Sequence, residues 1–425
     1  MSTLAASSGG SRPREPMGEE VDKTTMTETP PPSTNTPTRG YCAGLDVHNK
    51  TCDVALVDPE GKVARRWHVK TCPQMLDQFS RELRGICGSA PVDLGMESST
   101  AGKAVFQHLR KLGLAVHLGH ARKLESILSS ETKTDRNDAE ELARLLQGRH
   151  FPESYVPTEE IEELRGWVRM RGDQVEKLVR VKQQVHALLV KHHLQHEASK
   201  YSDIFGAQAL RWLATVDLVS EADKRQLQVL LEEGAFLAHQ IEGLTTDLAR
   251  VAAPRKDVEL LQSIPGFDYV LALNFLAEVG DVHRFRNRRK FAAYCGTVPK
   301  NRDTGGKVAE HAKLRHGNSR AKWALEIAVQ ANVLRAHQGR IFLLYEKLKA
   351  RLGVPKAMMA TAHRLAFIVY GVLKTGKLYE ERNEETFERK RDRLAERAKV
   401  KVSVPSVADL VEKMLSPSTP TGVMS

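Results

Sequence analysis

Apolar residues fall into different rhythms along the chain. Between Tyr41 and Lys70 they recur with period two, in YCAGLDVH, TCDVALVD and KVARRWHV, the last two separated by the turn PEGK. Period two buries one face of a strand, so this stretch predicts three strands with a hairpin. QMLDQFSRELRGI then places Met75, Leu76, Phe79, Leu83 and Ile86 at helical spacing. PVDLGMESS returns to a strand, AGKAVFQHLRKLG to a helix stopping at Gly113, and LAVHLG to a strand; ARKLESIL and SETKTDRNDAEELARLL read as helices. The order predicts an α/β domain over 41–157, with a mixed sheet led by an antiparallel meander.

From Thr158 the rhythm changes to steps of three and four. Ile161, Leu164, Val168, Arg171, Val175, Leu178, Lys182, Val185 and Leu189 form a seam in which seven of nine positions are apolar. A second seam runs through Leu227, Leu231, Leu237, Ile241, Leu244 and Leu248. The region 158–255 therefore reads either as a helical hairpin packed on itself or as a coiled coil used for dimerisation. In 256–384, LLQSIPGFDYVLALNFLAEVG reads as two helices around a Pro–Gly turn, similar to a helix-hairpin-helix element whose turn amides meet a phosphate backbone. KAMMATAHRLAFIVYGVLKTG supplies an apolar helix to close a mainly α core. Residues 385–425 read as a charged helix and a loose tail. Residues 1–40, rich in Ser, Thr, Pro and Gly, bury too little to offset the entropy of ordering and read as a disordered tail.

Composition narrows the function. Without a run of about 18 apolar residues or a secretory leader, a membrane span and export are not expected. The five cysteines include no CxxC pair, which fits a reducing cytoplasm better than a disulfide framework or a thiolate zinc site. The net charge of +11 is concentrated: 281–330 holds twelve Lys/Arg against four Asp/Glu, which suggests a polyanionic partner.

Four acids carry the candidate chemistry. Asp46 ends the first strand, and Glu97 ends the strand VDLGMESS. Asp135 and Asp138 stand three apart on one helix face, interleaved with Lys133 and Arg136. Each has a plain alternative: Asp46 as a strand-end polar residue, Glu97 as an acid at a helix start, Asp135 as an N-cap with Asp138 in its first turn. Together they are hard oxygen ligands suited to Mg2+ or Mn2+, ions that hold the attacking and leaving oxygens of a phosphoryl displacement. His193 and His196 have metal-like spacing, but with His192 they read as solvated helix residues, since no cysteine or acid set accompanies them.

The stretches AGLDVHNKTCDVALVDPEGKV, VDLGMESSTAGKAVFQHLRKLGLAVHL and KTDRNDAEELARLL resemble the ribonuclease-H-like, Holliday-junction-resolvase-like catalytic domain of the DEDD transposases. These are the bridge-RNA-guided recombinases of insertion sequences, related to site-specific DNA invertases. SIPGFDYVLALNFLAEVGDVHRFRNRRKFAAYCGTVPKNRDTGGK and KLRHGNSRAKWAL resemble their C-terminal transposase domain, so the likeness runs from about Tyr41 to Tyr379. It implies a metal-binding tetrad of Asp46, Glu97, Asp135 and Asp138. It also implies double-stranded DNA as substrate, a structured guide RNA, and action as a dimer or tetramer. The family uses a nucleophilic serine; here RDTGGK puts Thr304 in its place. A threonine hydroxyl can attack, although its β-methyl crowds the approach. Lys300, Arg302, Lys307, Lys313, Arg315 and Arg320 surround it in sequence, and Arg284, Arg286, Arg288, Arg289 and Lys290 precede it. These are candidate nucleic-acid contacts. A site-specific invertase, a junction endonuclease without the covalent step, and a non-catalytic nucleic-acid-binding protein remain competing readings.

Overall fold

The computed structural model describes residues 40–127, 135–299, 317–336 and 339–400. The chain forms two compact units, the first ending at Val156 and the second beginning at Pro157. All five cysteines are free thiols. No described helix is long and apolar enough to cross a membrane.

The first unit is built on β1 (Tyr41–Val47), β2 (Thr51–Val57), β3 (Val63–Lys70), β4 (Val92–Glu97) and β5 (Ala115–Gly119). Helices α1 (Pro73–Cys87), α2 (Thr100–Lys111), α3 (Ala121–Ile127) and α4 (Asp135–Gln147) complete it. The sheet order is β3-β2-β1-β4-β5. β1 and β2, and β2 and β3, run antiparallel, while β1 and β4, and β4 and β5, run parallel. The mixed sheet expected from the alternation is present.

Alternation also sorts the two faces. Ala43 and Leu45 of β1, Cys52, Val54 and Leu56 of β2, and Leu94 and Met96 of β4 join Leu76, Phe79 and Leu83 of α1 and Val105, Phe106 and Leu109 of α2 in one core. The opposite face receives α4. Gly44 lets it close: a Cβ there would land on the Ala139 carbonyl oxygen, 2.6 Å from the Ala143 nitrogen and 2.8 Å from the Leu142 Cβ.

The second unit is helical, with α5 (Glu159–Lys191), α6 (Gln195–Ala198), α7 (Ala207–Leu213), α8 (Glu221–Ala252), α9 (Lys256–Gln262) and α10 (Tyr269–Val279). A short 3-10 turn (Val282–Arg284), α11 (Arg288–Tyr294), α12 (Ser319–Ala331), a π turn (Asn332–Ala336), α13 (Gly339–Leu352), α14 (Val354–Thr375) and α15 (Glu384–Lys399) follow. Thr158 caps α5 through its Oγ1, and Glu159, Glu160 and Glu162 in the first turn complement the helix dipole. The seams of α5 and α8 meet within the chain. Val181, Val185, Leu188 and Leu189 pack with Leu227, Leu230 and Leu237, and Leu164 and Val168 with Leu248 and Ala249. These apolar positions are thus covered intramolecularly, as in the hairpin reading. His192 is not a solvated residue: its Nε2 lies 2.8 Å from Asp223 Oδ2 and its side chain is mostly buried, tying the end of α5 to the start of α8. Lys191 Nζ adds a 2.7 Å contact to the same carboxylate.

The Pro–Gly turn between α9 and α10 departs from expectation. Gly266 has φ +93°, and a Cβ would strike the Ala328 carbonyl of α12. Asn332 Nδ2 donates to the Pro265 carbonyl at 2.6 Å and to the Ala328 carbonyl at 2.8 Å. Ile264 and Phe267, on either side, are fully buried. Gly266 is thus packed against α12, and Pro265 and Gly266 themselves are half-buried.

The α15 helix is fastened there by Lys390, whose Nζ donates to the Gln262 carbonyl at 2.8 Å. Burial pushes this amine down to about 8 from 10.5, since the charged form is poorly solvated. Between those values the unfolded chain binds more protons than the folded one, so this residue makes folding more favourable as pH rises through that window. Urea unfolding at pH 7.5 and pH 10 should show wild type gaining stability relative to Lys390→Met. A pH-independent difference between the two proteins would contradict this.

Candidate active site

On the α4 side of the sheet one row of residues runs across the carboxyl ends of β1 and β4. Leu45 pairs with Met96, so Asp46 and Glu97 are the next residues on neighbouring parallel strands. Each lies two positions beyond a glycine that faces α4: Gly44 against Ala139, Leu142 and Ala143, and Gly95 against Leu146 and Phe151. Asp46 and Glu97 therefore share that face.

The direction of α4 follows from its anchors. Near its carboxyl end Gln147 Nε2 donates to the Asp58 carbonyl at 2.7 Å, and Arg144 to the Gly61 carbonyl at 3.3 Å. Asp58 and Gly61 lie in the β2–β3 turn, beside the amino end of β1. Glu140, one turn earlier, pairs with Arg66 of β3. Hydrogen bonds from Arg144 and Arg66 hold the Glu140 carboxyl below its usual range. The amino end of α4 is thus directed toward the strand ends that carry Asp46 and Glu97.

Asp138, half-buried, is on that first turn and a half. Asp135 opens the helix, but its side chain, like that of Arg136, lies outside the described residues, as does Lys133 entirely. Asp46 is itself engaged by His48, whose Nε2 lies 3.2 Å from Oδ2. Among the described residues no three His, Cys, Asp or Glu side chains already stand as a metal-binding group. The row is a backbone arrangement of acids, and the described side chains are not closed around a common point.

Beyond Asp46 and Glu97 a shallow cleft of about 570 Å3 is lined by Val47, His48, Asn49, Lys50, Thr51, Ser99, Thr100 and Ala101. It sits between the β1–β2 turn and the start of α2, which Ser99 caps through a 2.9 Å bond from the Gly102 amide. Six of its eight lining residues carry polar side chains, one of them a lysine, and the cleft is open to solvent.

Spacing along the chain missed three members of this surface. Asp53 stands opposite Asp46 in the β1–β2 ladder. His68 Nδ1 lies 3.1 Å from Asp53 Oδ1, and Arg66 reaches Glu140 as described. Hairpin register, which puts Val47 opposite Cys52, is the sequence signal that finds Asp53.

In the second unit Arg288, Arg289 and Lys290 are exposed on the first turn of α11, which Asn287 caps through Oδ1. Cations oppose the dipole at a helix start, so helix stability does not explain them. Arg288 also lies over the Phe367 ring at 5.1 Å. Arg320 is exposed on the first turn of α12. Arg284 differs: its guanidinium donates to the Val279 carbonyl and covers the Phe285 and Tyr294 rings, which spends it on structure. Lys300, Arg302, Thr304, Lys307, Lys313 and Arg315 lie outside the described residues.

Two family models match this chain. One, described as Transposase IS116/IS110/IS902 family, matches residues 258–345. The other, a DEDD model of the IS110 group described as Transposase, matches residues 43–194. The y4qE protein of Sinorhizobium fredii is 30% identical over 231 residues, 54% of this chain and 55% of its own length, so the match spans about half of that relative. The transposase for insertion sequence element IS1111A of Coxiella burnetii is 24% identical over 79% of this chain and 90% of its own. The transposase for insertion sequence element IS1328 of Yersinia enterocolitica is 24% identical over 68% and 86%.

Proposed function

The chain belongs to the IS116/IS110/IS902 family of transposases, and from that premise we propose that it cuts and rejoins double-stranded DNA as the transposase of an insertion sequence. The observation that carries the reading is the juxtaposition of Asp46 and Glu97 at the ends of adjacent parallel strands, on the face toward which α4 directs Asp138.

Asp46, Glu97, Asp135 and Asp138 form the acidic tetrad of this reading. The donor set fits a hard divalent cation, Mg2+ or Mn2+: all four are carboxylates, and the described ones sit on short, well-packed elements. When bound, such a cation supplies charge stabilisation to the phosphoryl oxygens. The protein's own share is to hold the scissile phosphate. Lys50 and the hydroxyls of Thr51, Ser99 and Thr100 line the adjoining cleft. The domain is read as ribonuclease-H-like from its β3-β2-β1-β4-β5 order, and the helical unit as the transposase domain.

Thr304 is the candidate nucleophile. Its hydroxyl gives up its proton as the oxygen forms a new P–O bond, and the P–O bond to the bridging oxygen breaks, that leaving oxygen taking up one proton; rejoining reverses the step. Arg288, Arg289, Lys290, Arg320, Lys300, Arg302, Lys307, Lys313 and Arg315 contact phosphates without reading sequence, and Lys133 and Arg136 serve beside the tetrad. A guide RNA from the element supplies sequence, and the protein works in the cytoplasm as a dimer or tetramer. The α5 and α8 apolar seams already cover each other, so that assembly uses other surfaces.

The test combines the protein, RNA from the flanking element, DNA bearing the element ends, and Mg2+. A recombinant junction should form, and Asp135→Ala should abolish it. Thr304→Ala should lower its yield at least about 10³-fold, as loss of a nucleophile does, while Thr304→Ser should retain it. Full activity in Thr304→Ala excludes the threonine and favours a junction endonuclease without a covalent step. Binding without cleavage in either metal favours a non-catalytic protein.

A further inference from the structure

The α4-facing row contains one carboxylate more than the tetrad. In the antiparallel β1–β2 ladder Asp53 stands directly opposite Asp46, and Asp46 continues the row toward Glu97. Directly paired side chains share a sheet face. That face is fixed independently by the neighbouring rung, where Gly44, Ala55 and Arg66 line up and Arg66 reaches Glu140 of α4. The adjacent β2 residues Cys52 and Val54 point the other way, into the core with α1 and α2. Asp53, Asp46 and Glu97 thus occupy three neighbouring strands at one level, spaced about 4.8 Å apart from strand to strand.

Such a row is a poor choice for the sheet. Like charges directly opposite each other in a ladder are destabilising. The carboxylate of Asp53 is only 15% exposed, so solvent screens it incompletely, while its partner His68 is 64% exposed and contributes little as an ion pair. A threonine or asparagine opposite Asp46 would form the same strand without that repulsion.

We propose that Asp53 is a fifth acidic residue of the site: an outer-shell carboxylate that positions Asp46 and the hydration of the divalent cation, with His68 fixing its orientation. The inference rests on the tetrad reading of Asp46. Partners behind the primary ligands orient them and tune affinity. A cation that retains several waters needs such acceptors. His68 Nδ1 engages one oxygen of Asp53 at 3.1 Å, and a carboxylate has a second oxygen that can accept from a metal-bound water.

The experiment reads metal binding in the full chain without DNA. Mn2+ affinity is measured by calorimetry and by electron paramagnetic resonance, and Tm is measured with and without Mn2+. Asp53→Asn is expected to weaken Mn2+ binding by about 10- to 100-fold. Its metal-free Tm should hold or rise, because repulsion with Asp46 is removed, and the Mn2+-induced gain in Tm should shrink. His68→Ala should move both metal readouts in the same direction by less. Wild-type Mn2+ affinity in Asp53→Asn overturns the proposal. So does a fall in metal-free Tm with an undiminished Mn2+ gain, since that assigns Asp53 to His68 alone. Asp46→Asn separates the layers. If it abolishes binding and Asp53→Asn does not weaken it, only this inference fails. If neither variant changes binding, the tetrad reading fails with it.

Discussion

Asp46→Asn should slow strand cleavage by about 10²- to 10³-fold while leaving the protein folded. The substitution keeps the shape of the side chain and removes one negative charge from a row that already holds Asp53 across the ladder and Glu97 on the next strand. Relief of that repulsion offsets the loss of the His48 contact at 3.2 Å, which lies at a half-exposed histidine and is worth little. Stability should therefore change by no more than about 1 kcal/mol, since the substitution creates no cavity and no new buried charge. Chemistry should not survive so well. If Asp46 anchors the charge that faces the scissile phosphate, its neutralisation should cost about 10²- to 10³-fold in the single-turnover cleavage rate, as loss of one electrostatic stabiliser does. Single-turnover kinetics on DNA carrying the element ends, beside a thermal melt of the same preparation, give both numbers. A cleavage rate within tenfold of wild type would remove Asp46 from the site.

Much of this arrangement can be read from the chain, for a definite physical reason. Strand alternation is a local signal, so β1, β2 and β4 and the split between their two faces follow from YCAGLDV, TCDVALV and VDLGME themselves. The acids at strand ends and on the amino turn of α4 follow from the same spacing. Cross-chain register is less visible. Asp53 looks like one polar position in an alternating strand until the β1–β2 hairpin sets it opposite Asp46. His192 looks like a solvated helix end until α8 returns and places Asp223 against it. Arg284 counts toward a basic cluster by composition, yet the fold turns it onto two aromatic rings and the Val279 carbonyl. The Pro–Gly turn has the composition of an exposed hairpin tip, but Asn332, far along the chain, closes over it. In each case the missing information is a partner brought near only by tertiary packing.

Gly44→Ala is the companion prediction, and its expected effect reaches both stability and activity. The added methyl would meet the Ala139 carbonyl, the Ala143 nitrogen and the Leu142 Cβ, none of which can swing aside as the far end of a flexible side chain does. Either α4 lifts from the sheet or β1 bends, at a cost of about 1–3 kcal/mol, the range for overpacking a close contact. The same movement carries Asp138 away from Asp46, and a misplacement of about 1 Å can cost 10²-fold in rate. Gly95→Ala tests the argument on the neighbouring strand. Its Cβ meets the Leu146 Cδ1 at 2.6 Å and the Phe151 ring at 3.0 Å, both parts of side chains able to adjust, so its losses should be smaller. Gly85→Ala, on α1 with nothing within 4 Å of the added carbon, should instead stabilise the protein by about 0.5–1 kcal/mol through helix propensity. Denaturant unfolding of the three variants should therefore rank Gly85→Ala above wild type, and Gly95→Ala between wild type and Gly44→Ala. A Gly44→Ala protein with unchanged stability and cleavage would mean that α4 is not seated on β1, and the acids it carries would then have no fixed relation to Asp46.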